Sequence, residues 1–182
     1  MKRETVPEVM TVERLNEAFF HRPCLTVAPE LVGKLIVCRS GGEQRVLRIT
    51  ETEAYCGEAD TACHAHRGRT PRTEVLYARP GTAYVYLCYG IHWLFNVVTG
   101  EEGAPEAVLI RACENAEGPG KLTKFLGITG TDNRKYLVDD DALFIADDGF
   151  RPELKTAERV GIAYASREDQ DRLWRFIMDR EN

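Results

Sequence analysis

Apolar positions recur at two different spacings along this chain, and the changes of spacing divide it into elements. Over residues 12–20, Val12, Leu15 and Phe19 fall on one side of a helical period, Thr11 supplies a cap and Pro23 a stop, so a helix is expected there. A second, short helix is expected over 29–31. Residues 34–39 read as a strand, Ser40-Gly41-Gly42 as a turn, and 44–55 as a long strand with near-alternation. In that strand Ile49, Glu51, Glu53 and Tyr55 share one parity, which sets Glu53 and Tyr55 on the same face. Residues 56–72 are polar and rich in Gly, Thr and Arg. A loop of that length inside a compact domain is usually functional or disordered.

Strand patterns return over 82–89 and 93–99, joined tightly at Gly90-Ile91, so a hairpin is expected with Tyr89 near its tip. Residues 106–112 read as another strand, 119–126 as a helix, and 143–146 and 159–164 as strands, while the tail to Phe176 fits neither period. No internal repeat, low-complexity segment or linker interrupts the chain. The expected architecture is α+β, a single domain over residues 1–182 with a mainly antiparallel curved sheet, surrounding helices and a projecting hairpin.

Charge adds a complication. The net charge of −5 argues against a simple polyanion binder, yet residues 139–182 hold 12 acids and 7 bases and so carry the whole deficit. Between His64 and Gly90, Arg67, Arg69, Arg72 and Arg79 face only Glu74. A local basic stripe on an acidic protein can bind nucleic acid, with strong salt dependence. The six cysteines form no Cys-x-x-Cys pair, several sit in apolar runs, and reduced thiols are expected. No apolar run approaches the ~20 residues of a membrane span, and the first residues lack a signal-peptide pattern. A soluble cytoplasmic protein is expected.

The densest chemistry lies in Glu51-Thr52-Glu53-Ala54-Tyr55, followed nine residues later by His64, the Arg-rich loop, and Tyr84, Tyr86 and Tyr89. A carboxylate can activate water, Tyr and His rings can sandwich a flat heterocycle, and Arg and Lys can hold phosphates. Together they are the parts of an enzyme that extracts a base from DNA and acts on it. Each part also has a plain structural reading. Glu53 fits a strand carboxylate facing solvent or paired with Arg45 or Arg48, and Tyr84 and Tyr86 fit ordinary strand packing. His64 fits a loop histidine, Tyr89 a surface turn, Asn96 an amide bonded to backbone, and Arg111 an ion pair with Glu114. Three other functions compete. One is zinc held by Cys56, Cys63, His64 and His66, which the adjacency of Cys63 and His64 disfavours. Another is a nuclease using Glu51, Glu53 and Asp60. The third is a non-catalytic nucleic-acid-binding module, for which a carboxylate near phosphates is a poor choice.

The ordered set of motifs resembles the alkyladenine, or 3-methyladenine, DNA glycosylase family of the human-enzyme type. The resemblance begins near Leu15-Asn16-Glu17-Ala18-Phe19-Phe20, continues through Leu31-Val32-Gly33-Lys34, and is strongest from Ile49 to Arg111. It resumes at Gly118-Pro119-Gly120-Lys121-Leu122 and Arg159-Val160-Gly161-Ile162. The resemblance implies a monofunctional enzyme, without metal or cofactor, that hydrolyses the N-glycosidic bond of damaged purines in double-stranded DNA. Glu53 would activate water, with Arg111 helping to hold it. Tyr55, His64 and Tyr86 would form the base pocket, and Asn96 would crowd the amino group of guanine. Tyr89 would fill the gap in the duplex. Arg67, Arg69, Arg72, Lys121 and Lys124 are candidate phosphate contacts, and Glu51 is left structural. The family's pattern is broken at Cys56, Thr73 and Leu76-Tyr77, and the tail over 166–174 is unexpectedly long and acidic. A monomer associated with the nucleoid is expected.

Overall fold

The structure is a computed structural model that describes residues 12–180. Among these, ten strands and four α-helices form an α+β fold in which every strand pairing is antiparallel. The strands are β1 (Glu13–Arg14), β2 (Leu35–Ser40), β3 (Glu43–Cys56), β4 (Ala83–Cys88) and β5 (His92–Thr99). They continue as β6 (Glu106–Cys113), β7 (Ala116–Glu117), β8 (Leu143–Asp147), β9 (Leu154–Ala157) and β10 (Arg175–Met178). The main path runs β1-β8-β2-β3-β6-β5-β4; off this path β10 pairs with β3, β9 with β10, and β7 with β6. The helices are α1 (Glu17–Phe20), α2 (Cys24–Leu31), α3 (Pro119–Leu126) and α4 (Arg167–Asp171).

The two-residue strand period sorts the side chains into two layers. Ala83 and Val85 of β4, Phe95 and Val97 of β5, and Val108 and Ile110 of β6 point into the main core with Val27, Ala28 and Leu31 of α2 and Leu122 and Leu126 of α3. The alternate residues face the other way. There Tyr84, Val98 and Ala107 pack with Cys63, Val75 and Leu76 from the long loop, and Tyr55 and Tyr86 close the cluster. The loop expected over 56–72 is ordered as short 3-10 turns at Gly57–Ala59 and His64–Arg67, so this second layer has a roof of its own.

Several expectations need correction. The helix expected over 12–20 is a two-residue strand followed by α1: Leu15 donates its N–H to the Ile145 carbonyl, and the Asn16 side chain accepts from the Phe19 N–H. An N-cap residue keeps non-helical backbone angles, so a cap at Asn16 starts the helix there. The Thr11 cap lies outside the described residues. Helix α2 is longer than the expected 29–31, because Pro23 opens it rather than marking a stop and Pro29 is accommodated within it. Residues 159–164 form no strand. The strand lies earlier, at β9, and Gly161 adopts φ +74°, incompatible with extended backbone. The tail contains α4 and β10, the latter pairing with both β3 and β9. Helix α3 matches its expected bounds, with Pro119 in its first turn and Gly127 in the left-handed conformation at its end.

Phe95 is fully buried between the helices and the sheet. Phe95→Ala is expected to lower unfolding free energy by about 3–5 kcal/mol, read from the urea midpoint with the m-value unchanged.

Candidate active site

The site is built where β3, β6 and the segment after β9 meet. In β6 the register against β3 breaks: Glu51 lies opposite Ala112 and Thr52 opposite Ile110, so Arg111 has no residue directly across from it. A bulge of this kind re-aims the side chain it displaces. The Arg111 Nε lies 3.3 Å from Glu51 Oε1 and 3.4 Å from Glu53 Oε1. Glu51 also accepts from Arg175 of β10 at 2.9 Å. The Arg111–Glu114 ion pair that the sequence allowed is therefore replaced by a shared pair with Glu51 and Glu53.

Glu53 is completely buried. Its Oε2 accepts from the Tyr55 hydroxyl at 2.7 Å and its Oε1 from the Val160 N–H at 3.0 Å. Burial pushes its carboxyl above the usual carboxylate range, opposed by the Tyr55, Val160 and Arg111 contacts. That balance suits a general base, whose useful pKa approaches the working pH. Neither Arg48 nor Arg45, the partners suggested by the local sequence, reaches it: Arg48 pairs with Asp148, and Arg45 with Glu43.

In front of this carboxylate lies a cavity of about 670 Å³. Tyr55, Arg111 and Val160, the three residues that contact Glu53, form its inner wall. His64, Tyr86 and Asn96 line it as well. The His64 ring meets Tyr86 edge-on with centroids 4.7 Å apart, and its Nδ1 lies 2.9 Å from the Tyr84 hydroxyl. Burial first, and the Arg72 guanidinium second, push the His64 imidazole down to about 4, so it is neutral at pH 7. Asn96 donates from Nδ2 to the Tyr84 carbonyl at 3.0 Å. It is thus both the backbone-bonded strand amide and a wall of the cavity.

Tyr89 sits in the three-residue turn between β4 and β5, with φ +51° and 91% of its surface exposed. A left-handed tyrosine costs roughly 1–2 kcal/mol, and the exposed Ile91 beside it makes the tip apolar. The strand behind the tip is anchored: an added Cβ at Gly120 would stand 2.9 Å from the His92 ring, so only glycine lets β5 approach the start of α3 this closely.

The basic candidates separate. Arg72 and Lys121 line the cavity mouth, and the Arg72 guanidinium stands 5.2 Å from the Tyr86 ring centre. Arg69 makes a two-bond ion pair with Glu74, at 2.7 and 2.9 Å. Arg67 and Lys124 are exposed away from the cavity wall. The proposed zinc ligands are dispersed among other partners: His66 lies on the Glu58 carbonyl, His64 on Tyr84, and Cys56 Sγ is 2.7 Å from Cys24 Sγ. Among the described residues no group of three His, Cys, Asp or Glu side chains is placed to hold a metal ion. Asp60, the third acid of the nuclease alternative, is locked to Arg159. Two contributors escaped the sequence reading. Val160 acts through its backbone, which no residue type reveals, and Tyr164 lines the cavity while donating to the Ala62 carbonyl at 2.6 Å.

The His64 shift fixes the sign of a pH effect. An unfolded histidine titrates near 6.5, above the folded value of about 4. Between those values the unfolded chain binds more protons, so stability falls as pH falls through this window. His64→Phe is expected to flatten that part of the stability–pH curve, measured by urea unfolding of both proteins from pH 7 to 4.

Among the described residues no helix is long and apolar enough to cross a membrane. Comparison with known proteins gives the chain its relatives. A protein of Myxococcus xanthus named "Putative 3-methyladenine DNA glycosylase" is 47% identical over 173 residues, spanning 88% of this chain and 89% of its own. Proteins of the same name from Borrelia garinii and Natranaerobius thermophilus are 41% and 40% identical, over 90% and 93% of this chain and 95% and 96% of theirs. The family model for methylpurine-DNA glycosylase matches residues 18–118 and 114–182. With both observations covering nearly its whole length, the chain belongs to the methylpurine-DNA glycosylase family.

Proposed function

We propose that this protein is a monofunctional DNA glycosylase that releases damaged purines from double-stranded DNA by hydrolysis. The observation that carries the reading is the buried Glu53 carboxylate held directly behind an aromatic cavity. Glycosidic cleavage places positive charge on the sugar, and a carboxylate beside it both stabilises that charge and takes a proton from the attacking water. Tyr55 and Val160 each occupy one carboxylate oxygen, and Arg111 leans on Oε1. Oε1 therefore carries two donors, whereas Oε2 carries only Tyr55 and retains a lone-pair direction that a water could use.

The base would lie among Tyr55, His64 and Tyr86, where stacking is worth about 1–3 kcal/mol. A neutral His64 stacks on a cationic alkylated purine without repelling it, and the electron-rich ring faces add a cation–π attraction of roughly 0.5–2 kcal/mol. Asn96, fixed by the Tyr84 carbonyl, would stand against the purine edge and reject guanine through its amino group. Tyr89 would fill the place of the extruded nucleotide. Arg72, Lys121 and the amides at the start of α3 would receive phosphates on either side; Arg67 and Arg69 would serve the flanking backbone, Arg69 by exchanging Glu74 for a phosphate. Among the described residues the partners of Glu53 are Tyr55, Val160 and Arg111 and none is a lysine, which favours water over an amine as the nucleophile. The monomer, working in the cytoplasm on the nucleoid, completes the reading.

The parent protein, incubated with methylated duplex DNA, is expected to release free purine and leave the backbone intact, also in the presence of EDTA. Glu53→Gln is expected to lower the single-turnover rate at least about a hundredfold while lesion binding stays within a few fold. Substantial remaining turnover would remove Glu53 from the chemistry.

Tyr89→Ser is expected to weaken binding to lesion-containing duplex and slow excision from it, with less effect on single-stranded substrate, because only a duplex has a stack to refill. Equal losses on both substrates in the same excision assay would argue against a wedge.

A further inference from the structure

Outside the reacting centre, Arg159 is a buried cation whose two terminal nitrogens are held on several sides. Its side chain and that of Asp60 are both fully buried. Arg159 Nη1 donates to Asp60 Oδ2 at 2.6 Å and to the Ala54 carbonyl at 3.0 Å. Nη2 donates to Asp60 Oδ1 at 3.0 Å and to the Asp169 carbonyl at 3.2 Å. The guanidinium stands 4.9 Å from the ring centres of both Tyr55 and Trp174. Asp60 spends its remaining capacity on the N–H groups of Cys56 and Ala62, each at 3.0 Å. One ion pair thus joins the end of β3, the loop roof and the segment before α4.

Such a pair is an expensive way to make a stable core, because desolvating two charges offsets much of their attraction. Its worth lies in geometry. The residue after Arg159 is Val160, whose N–H holds Glu53 Oε1, and the ring against its guanidinium is Tyr55, whose hydroxyl holds Glu53 Oε2. Both uncharged donors to Glu53 are therefore attached to Arg159, one through the chain and one through a ring face.

We infer that Arg159, clamped by Asp60, is a positioning residue that sets the protonation and orientation of Glu53 by holding the Val160 N–H and the Tyr55 ring against it. The catalytic consequence rests on the glycosylase reading, while the positioning itself does not. Glu53 is faced by Tyr55 and Glu51 from β3, by Arg111 from β6, by Arg175 on β10 across the strand, and by Val160 and Tyr164 from the segment after β9. Of these, Tyr55 and Val160 are the two that donate to Glu53 and are held by Arg159. Donors to a carboxylate stabilise its ionised form, so loosening them raises its pKa. Arg159→Lys keeps the charge, which leaves the long-range electrostatics in place, but a single ammonium cannot span Asp60, Ala54 and Asp169 or lie flat against two rings.

The test is a carbon-13 NMR titration of the Glu53 carboxyl, assigned by its loss in Glu53→Gln. In folded Arg159→Lys the Glu53 pKa is expected to rise by about half a unit or more. The Val160 amide proton, which should follow Glu53 titration in the parent, should cease to do so. Single-turnover base release should fall roughly tenfold at neutral pH, with its acidic limb moved to higher pH and lesion binding little changed. Where Arg159→Lys does not fold, Asp60→Asn with Arg159→Gln removes both charges together, leaves no unpaired ion, and is expected to move Glu53 in the same direction. An unchanged Glu53 pKa and Val160 titration in either folded variant overturns the inference, even if thermal stability drops. A parent that releases no base while its variants shift Glu53 would overturn the glycosylase reading and leave the positioning role standing.

Discussion

A carboxylate with no exposed surface governs this structure. Placing Glu53 out of contact with water is costly unless donors replace the lost hydration. The three that do so come from three places: Tyr55 two residues along the same strand, Arg111 on the neighbouring strand, and Val160 more than a hundred residues away in the chain. Each imposes a requirement on the fold. Tyr55 requires β3 to remain extended past Glu53. Arg111 requires the register break that lets one guanidinium reach two carboxylates. Val160 requires the chain to return from β9 across the end of β3, which the buried Arg159–Asp60 pair and the β10 pairing secure. The same three residues form the back wall of the cavity, so the elements that solvate Glu53 also define where a ligand stops.

The parts of this arrangement that were legible in sequence are those that repeat locally. Strand β3 shows near-alternation, so Glu53 and Tyr55 could be assigned to one face, whereas β5 and β6, buried on both faces, are legible as apolar runs bounded by turns. Helix α3 was legible over its whole length, and the structure shows Pro119 in its first turn and Gly127 at its end. The failures were cases where a local signal had two uses. Val12, Leu15 and Phe19 fit a helical period, but Asn16 caps the helix inside that run and Leu15 bonds to β8. Apolar residues at 160–164 resemble a strand, yet Ile162 and Ala165 fill a small cluster under the loop roof with Ala62. Nothing within Arg159-Val160-Gly161-Ile162 indicates that its arginine pairs with Asp60, because the signal lies 99 residues away. The order of motifs carried information that spacing did not: His64, Asn96 and Arg111 are scattered along the chain, and no periodicity predicts that they line one cavity with Glu53 behind its wall.

Charge distribution follows from the same packing. The acidic C-terminal portion argued against a nucleic-acid partner, yet much of its negative charge is directed inward to specific cations. Asp148 is paired with Arg48, Asp147 with Lys34 and Arg151, and Asp169 with Arg172 while also accepting from Thr61 and Ser166. The Arg151 hydrogen bond on Asp147 and the Thr61 hydrogen bond on Asp169, together with further contacts around each, hold both carboxyls well below the usual carboxylate range. They therefore remain ionised and bound at any ordinary pH. The cavity is lined instead by Arg72, Arg111 and Lys121 against the carboxylate of Glu117, with the apolar hairpin tip beside them. Net charge describes how a protein repels at long range, whereas contact at a few ångströms is decided by the local sign.

That local sign bears on which bases the cavity would favour. Glu53 and Glu51 are engaged by Arg111, Glu117 on the cavity lining pairs with Arg180, and His64 is neutral, so on the proposed reading a cationic purine would meet ring faces rather than a free counter-ion. A salt bridge to the base would hold a cation tightly before cleavage and would have to be broken as the charge moves from base to sugar. Ring faces bind the cation more weakly and need no rearrangement when that charge leaves. On the proposed reading, Glu53, behind the wall, would interact most strongly where the new charge develops. Interactions that strengthen only in the transition state accelerate the chemical step, and those equally strong beforehand do not. On the proposed reading, the concealment of Glu53 behind Tyr55, Arg111 and Val160 separates recognition of the base from stabilisation of the sugar.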